Sequence, residues 1–374
     1  MTSRYGSGSV YRRSSDGRWV GAVRVAGKRR LVYGETRKEA QALLDDLRAA
    51  ARQGMVPADS RLTVGRYLAS WLETKRSTVR PSTWESYEGH VRLHLALLAS
   101  VPLSQLMPND VRNLVQNRQA EGCAPRTAAY TLMVLRMALK QAVRDGLIPR
   151  NVALFVDAPR ADRVEIRVLT TVEAQRLLDL DTPLSPLWTL LVGSGLRLSE
   201  SLGLRWSDVD LTNGTITVHV ALRPVPRHVR PEAAKWARTG QRLRLVEPKT
   251  DSSRRTLALP AFVLRALHAQ RARQATLPRN FLGLVFTSPR GTPLDARNVS
   301  RAFAADCEKV GLAKGRLHDL RHTAASMMLG QGSTLDDVKR VLGHSSIALT
   351  SDTYGHLVEG RSREVADGMD RLLG

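Results

Sequence analysis

Between residues 62 and 145, apolar residues recur at helical spacing in four successive stretches joined by short connections. No other feature constrains the fold as tightly. Leu62–Thr74 places Val64, Tyr67, Leu68, Trp71 and Leu72 on one stripe, and a second helix, Ser82–Ala99, starts at Pro81-Ser82. Pro108–Glu121 and Pro125–Asp145 follow; in the last, Leu132, Leu135, Met137, Leu139 and Val143 are expected to be mostly buried. Four helices with such connections make a compact all-α domain, residues 61–160. Gly146–Arg167 reads as a loop and linker.

The flanks carry other patterns. Ser9–Arg13, Arg18–Val25 and Arg29–Tyr33 are β-friendly, with Asp16-Gly17 and Gly27-Lys28 as turns. Thr36–Arg52 is an amphipathic helix with Thr36 as N-cap and Glu39 as capping-box partner. Residues 1–55 are therefore expected to form a small α+β domain, a three-stranded sheet plus a helix, followed by a linker at Gly54–Ser60. Residues 165–374 read as mainly α with a small antiparallel sheet. Thr171–Asp179 and Pro186–Ser194 are helical; Thr215–Ala221, Gln241–Val246 and Arg254–Leu259 are strands; Ala261–Gln274, Asn298–Val310, Leu317–Gly330 and Thr334–Leu342 are helical again. Arg223–Gly240, long and rich in Pro and Arg, sits between the first two of these strands, and such a loop is more often functional or mobile than rigid.

Charge narrows the partner. The formal net charge is +22, distributed as +6, +7 and +9 over residues 1–60, 61–160 and 161–374. A basic tail would concentrate the excess, whereas an even spread suits a long polyanion touching every segment. With aromatics at 5%, a backbone binder fits better than a stacking reader of single strands. The N-terminal strands carry Arg12, Arg13, Arg18, Arg24, Arg29 and Arg30, expected to line a DNA-binding face. Cys123 and Cys307 are far apart, which points to a reducing compartment rather than to a disulfide framework. No apolar run is long enough to span a bilayer, and the first residues lack the apolar stretch of a signal peptide. A cytoplasmic protein of a bacterial host, acting on DNA and without a membrane partner, is expected.

Four motifs carry the chemistry: GSGLRLSE at Gly193–Glu200, EPKTDSSRRTLALP at Glu247–Pro260, LHDLRHTAAS at Leu317–Ser326, and LGHSSIALTSDTYGH at Leu342–His356. In order they supply an arginine, a lysine, a histidine, a second arginine, a second histidine and a tyrosine, with no metal cage and no call for a cofactor. In-line attack on a phosphodiester builds charge on the non-bridging oxygens, and always-charged guanidiniums such as Arg197 and Arg321 suit its stabilisation. Lys249 can protonate a leaving sugar oxygen. Tyr354 can hold one DNA end covalently, so that rejoining needs no energy source. His318 lies three residues before Arg321 on one helix face, placed to assist proton transfer or bind the phosphate. His318 and His322 are spaced like a zinc pair, but the HExxH glutamate is missing and Arg321 would repel a cation. His322 therefore reads as a packing or backbone-capping histidine. Gly193–Gly195 matches neither a dinucleotide nor a Walker motif, and Ser194 reads as part of a tight helix-to-helix turn.

Singly, each of these residues is usually a surface charge or a packing side chain; the ordered set is specific. It resembles the tyrosine recombinase family, and the phage-type integrases in particular, over essentially the whole chain. Residues 170–374 resemble the catalytic domain. Residues 61–160, with PSTWESYEGHVRLHL and VRDGLIPRNVA, resemble the core-site-binding domain. Residues 1–55 resemble, more loosely, the arm-site-binding domain. The resemblance implies Arg197 and Arg321 as phosphate-binding arginines, Lys249 as general acid on a β-hairpin, His318 and His344 as the two active-site histidines, Tyr354 as nucleophile, and Glu200 as a structural support for Arg197. It implies a site-specific integrase acting through a 3′-phosphotyrosine and a four-way junction without ATP or metal, integrating and excising a phage or mobile element. Implied partners are double-stranded DNA with core-type and arm-type attachment sites, a homotetramer on DNA, a host DNA-bending protein and an excision factor. In the tetramer the Val358–Leu373 tail would pack on a neighbour through Val365, Met369, Leu372 and Leu373, the alternative being that it caps its own core. Arg223–Gly240 departs from the pattern as an insertion of open role. Two alternatives stand beside this reading: a type IB topoisomerase-like enzyme and a non-catalytic architectural DNA-binding protein.

Overall fold

The computed structural model describes residues 8–25, 28–52, 61–161, 167–225, 243–247, 254–278, 280, 282–313, 315–343 and 346–354. Lys249, His344, the Val358–Leu373 tail and most of the Arg223–Gly240 insertion lie outside the described residues. The chain falls into two compact units, Met1–Arg163 and Val164–Gly374.

The first unit opens with an antiparallel sheet, β1 (Ser9–Arg12), β2 (Trp19–Val25) and β3 (Lys28–Gly34), in the order β1-β2-β3, followed by α1 (Arg37–Arg52). Thr36 accepts from the Glu39 amide at 3.2 Å, while the Glu39 carboxylate accepts from the amide of Glu35 rather than from that of Thr36. Strand alternation sends Val23 and Val25 onto Leu44 and Leu47 of α1, with Val10 and Val32 beside them. The helical part comprises α2 (Val64–Arg76), α3 (Pro81–Leu93), α4 (Pro108–Ala120) and α5 (Pro125–Arg144). The expected second helix ends early, at Leu93, and Ala96–Leu98 continues as a separate 3-10 turn. Gly146–Arg167 is more than a linker: Val152–Phe155 forms a 3-10 turn, and Ile148, Val152, Ala153 and Val156 join the helical core. The Arg136 guanidinium fastens this segment by donating to the carbonyls of Ala153 and Val156. On α5, Leu132, Leu135 and Leu139 are buried as expected, while Met137 and Val143 are only partly covered. Leu135 is fully buried, so Leu135→Ala is expected to cost about 2–5 kcal/mol, read as a lower urea midpoint of the full chain.

The second unit packs around α7 (Ser185–Ser194), which is buried on nearly every side and preceded by α6 (Thr171–Leu178). Then come the short α8 (Leu198–Gly203) and the strands β4 (Val209–Asp210), β5 (Thr215–Val218), β6 (Ala221–Pro224), β7 (Leu243–Val246) and β8 (Arg255–Ala258). The single strand expected at Thr215–Ala221 is broken after Val218. Its first part pairs in the sheet β4-β5-β8, and the following residues form β6, which pairs with β7. Helices α9 (Ala261–Ala275), α10 (Ala296–Lys309), α11 (Leu317–Gly330), α12 (Leu335–Leu342) and α13 (Ile347–Tyr354) complete the order. Trp188, Leu190, Ile216, Val263, Phe286, Phe303 and Leu320 belong to the main core, and Ala325, Leu329, Val338, Leu342 and Tyr354 form a smaller one.

Candidate active site

The site is assembled at the C-terminal end of α12. The last carbonyls of a helix have no intrahelical partner and mark the negative end of its dipole. Here they accept from three guanidiniums. Arg255 Nε donates to Val341 O at 2.7 Å, Arg321 Nη2 donates to Leu342 O at 2.8 Å, and Arg197 Nη2 donates to Gly343 O at 3.2 Å. Gly343 ends the helix with φ +66°, and a Cβ there would stand 2.8 Å from the Arg255 guanidinium.

Arg197 is delivered by the turn at Gly195 (φ +63°), which lets the chain leave α7 and start α8 within three residues. The Gly195 carbonyl accepts from Arg321 Nη1 at 2.7 Å, so the same turn positions both arginines. Arg321 is 3% exposed. Burial, then the neighbouring Arg197 charge, lowers its pKa. Glu200, 6% exposed, accepts from Arg197 Nη1 at 2.8 Å and from Arg255 Nη2 at 3.0 Å. Burial alone would raise its pKa, but the charges and N–H groups of Arg255 and Arg197 outweigh this and hold it below the usual carboxylate value.

Helix α11 contributes an exposed His318 and, one turn on, Arg321 and His322. The rings of His318 and His322 meet edge to face, with centroids 4.9 Å apart. Desolvation, then Arg321 and Arg197, lowers the His318 pKa. His322 Nδ1 lies 2.6 Å from Tyr354 Oη. This corrects the packing or capping reading of His322: its side chain pairs with the expected nucleophile. Desolvation, then His318, depresses the His322 pKa to about 4. Tyr354 ends α13, is 2% exposed, and has its pKa pushed up to about 12 by burial, against the opposing pull of Arg321. Arg197, Glu200, His318, Arg321 and Tyr354 thus converge; Lys249 and His344 lie outside the described residues. Among the described residues, no group of three His, Cys, Asp or Glu side chains could hold a metal ion, and no helix is long and apolar enough to cross a membrane.

The depressed histidines make stability pH-dependent. An unfolded histidine takes its proton near pH 6.5, whereas folded His322 resists protonation until about pH 4. The unfolded chain therefore binds more protons in that window, and stability, complete above pH 6.5, falls as the pH drops towards 4. The His322 share is at most about 3 kcal/mol, and less once solvent screening of a half-buried ring is counted. Urea titrations at pH 7 and pH 4.5 should show the loss, and His322→Asn should flatten the slope.

The six N-terminal arginines do not share one face. Register pairs Arg24 with Arg29 on the outer side of the sheet, together with Tyr11, Leu31 and Tyr33. Arg30, opposite Val23, and Arg12, opposite Trp19, are on the α1 side. Arg13 and Arg18 flank the Asp16-Gly17 turn, where Arg13 pairs with Asp16 at 3.6 Å.

Comparison with known proteins matches this architecture. The Phage integrase family model covers residues 167–361, and the phage integrase N-terminal SAM-like domain covers residues 63–118. The chain belongs to the phage integrase family. As a member of this family of tyrosine recombinases, it is an enzyme of site-specific DNA cleavage and rejoining. A tyrosine recombinase XerC-like protein of Caldanaerobacter subterraneus subsp. tengcongensis is 25% identical over 92% of both chains. An integrase of Streptomyces ambofaciens is 27% identical over 93% of this chain and 92% of that protein. Tyrosine recombinase XerC of Yersinia pestis is 30% identical over 66% and 74%, respectively. Among solved structures, the Tn1549 transposon integrase in complex with a circular intermediate DNA has a TM-score of 0.70 at 22% identity, over 83% of this chain and 99% of that one. A lambda integrase dimer bound to a core site has a TM-score of 0.62 at 18% identity, over 94% and 96%. With recombinases and integrases as relatives, neither the topoisomerase-like nor the architectural alternative is favoured.

Proposed function

We propose that this integrase cuts DNA through Tyr354. Tyr354 Oη attacks a backbone phosphorus, the 3′-phosphotyrosine forms, and the 5′-oxygen leaves with a proton from Lys249. A 5′-hydroxyl of the partner duplex then attacks the phosphotyrosine and releases the tyrosine. Arg197 and Arg321 hold the non-bridging oxygens, His318 and His344 support them, and Glu200 fixes Arg197. The observation that carries this reading is the convergence of Arg197, Arg321 and Tyr354 beside the end of α12. Fixed cations aimed at developing charge are what a metal-free phosphoryl transfer needs.

Residues 61–160 grip core-type sites in this proposal and residues 1–55 grip arm-type sites. Arg24 and Arg29 face each other across β2 and β3, a like-charge pair that costs stability unless an anion covers it. The phage-type reading adds a tetramer on two DNA sites, joined by a host DNA-bending protein and an excision factor, that inserts and removes a mobile element.

The test is covalent capture. The protein is mixed in EDTA with a random-core duplex library, nicked so that cleavage is not reversed, then quenched in SDS and digested. A nucleotide-linked peptide containing Tyr354 is the expected result. Attachment through another residue, or DNA binding with no attachment, overturns the proposal.

A further inference from the structure

His322 is assigned no part in the chemistry above, yet its ring touches the reacting atom. Its Nδ1 is 2.6 Å from Tyr354 Oη, across 32 residues of sequence. Around it the tyrosine is enclosed by Ala325, Leu329, Val338 and Leu342, none of which offers a side-chain acceptor. A phenol has one proton and needs one acceptor when buried. Among the described residues, the acceptor at hand is the Nδ1 lone pair, and that assignment puts the ring N–H at Nε2.

We propose that His322 is a catalytic residue of the cleavage step, taking the Tyr354 proton as Oη bonds to phosphorus. The step balances: the O–H bond breaks as the O–P bond forms, Nδ1 gains the proton, and the bond from phosphorus to the 5′-oxygen breaks with its electron pair going to that oxygen. In rejoining, the same proton returns from Nδ1 to the departing tyrosine. The inference rests on Tyr354 being the nucleophile. The groups facing the imidazole define its electrostatics. Burial, then the His318 ring, with smaller pushes from Arg321 and Arg316, keeps it neutral against the pull of Asp319. A neutral ring is the form that can accept. His318, edge-on at 4.9 Å and exposed, is the next titratable group towards solvent.

The experiment compares wild type, His322→Ala and His322→Asn on nicked duplexes recovered with the wild-type protein, in single turnover across pH 5–10. Asparagine can keep a hydrogen bond to the phenol from the Nδ1 position but takes no proton. Both variants should bind the duplex as wild type does and cleave about 100-fold more slowly, in line with loss of a general base. Their rates should rise with pH across the range over which wild type is flat. Replacing Tyr354 with a fluorotyrosine of lower pKa should restore much of the variants' rate and change wild type little. Cleavage by either variant at the wild-type rate overturns the inference and leaves Tyr354 chemistry standing. So does a deficit that neither pH nor fluorotyrosine alters, because a merely structural histidine predicts that result. Failure of wild type itself to attach overturns both readings.

Discussion

Tyr354→Phe is expected to abolish covalent attachment to DNA while leaving DNA binding unchanged. The ring is only 2% exposed and packs among Ala325, Leu329, Val338 and Leu342, contacts that phenylalanine keeps. The change removes one hydrogen bond, to His322, with a stability cost of about 1 kcal/mol. For a folding unit of this size that lowers the melting temperature by about 2–4 °C. Chemistry and stability are thereby separated: an SDS-resistant adduct is lost in a protein that still melts cooperatively and still shifts the duplex. Adduct persisting in the variant would move the nucleophile elsewhere.

The second large effect is structural and concerns Glu200. Its buried carboxylate lies between Arg197 and Arg255, and the Arg255 side chain is 8% exposed. Truncating one partner of a buried pair strands the other charge, which typically costs about 3–5 kcal/mol. Glu200→Ala should therefore lower the urea midpoint of the second unit and slow cleavage as Arg197 loses its anchor. Glu200→Gln retains one acceptor oxygen and should lose less. Unchanged stability in Glu200→Ala would mean that the α12 carbonyls alone hold both arginines.

Much of the architecture is written in local pattern. Leu317–Gly330 begins and ends where its apolar spacing says, and the three N-terminal strands follow their alternation closely. Other elements owe their form to distant partners. Ile347–Tyr354 is rich in Ser, Thr and β-branched residues, poor helix formers in isolation, yet it is helical with Tyr354 seated in the small core beside α11 and α12. Val152–Phe155 resembles a loop because its ordering comes from Arg136 and from burial in the helical core. The break between β5 and β6 is invisible because each strand finds a different partner. The site follows the same rule. Motifs single out Arg197, Arg321 and Tyr354, whereas Arg255 and His322 acquire roles only through contacts 55 and 32 residues away. The arginines of the N-terminal sheet were open to a finer reading, since alternation along β2 and β3 already separates Arg29 from Arg30.

The end of α12 bears on how strongly each arginine can attract. A carboxylate holds a guanidinium by cancelling its charge, whereas a carbonyl holds it by a dipole and leaves the charge whole. Arg197 shares Glu200. The two bonds that seat Arg321 go to the carbonyls of Gly195 and Leu342. Two arginines of equal formal charge are therefore held in different ways: Arg197 is anchored by a carboxylate in direct contact, and Arg321, 3% exposed, is seated by backbone dipoles that leave its charge formally whole.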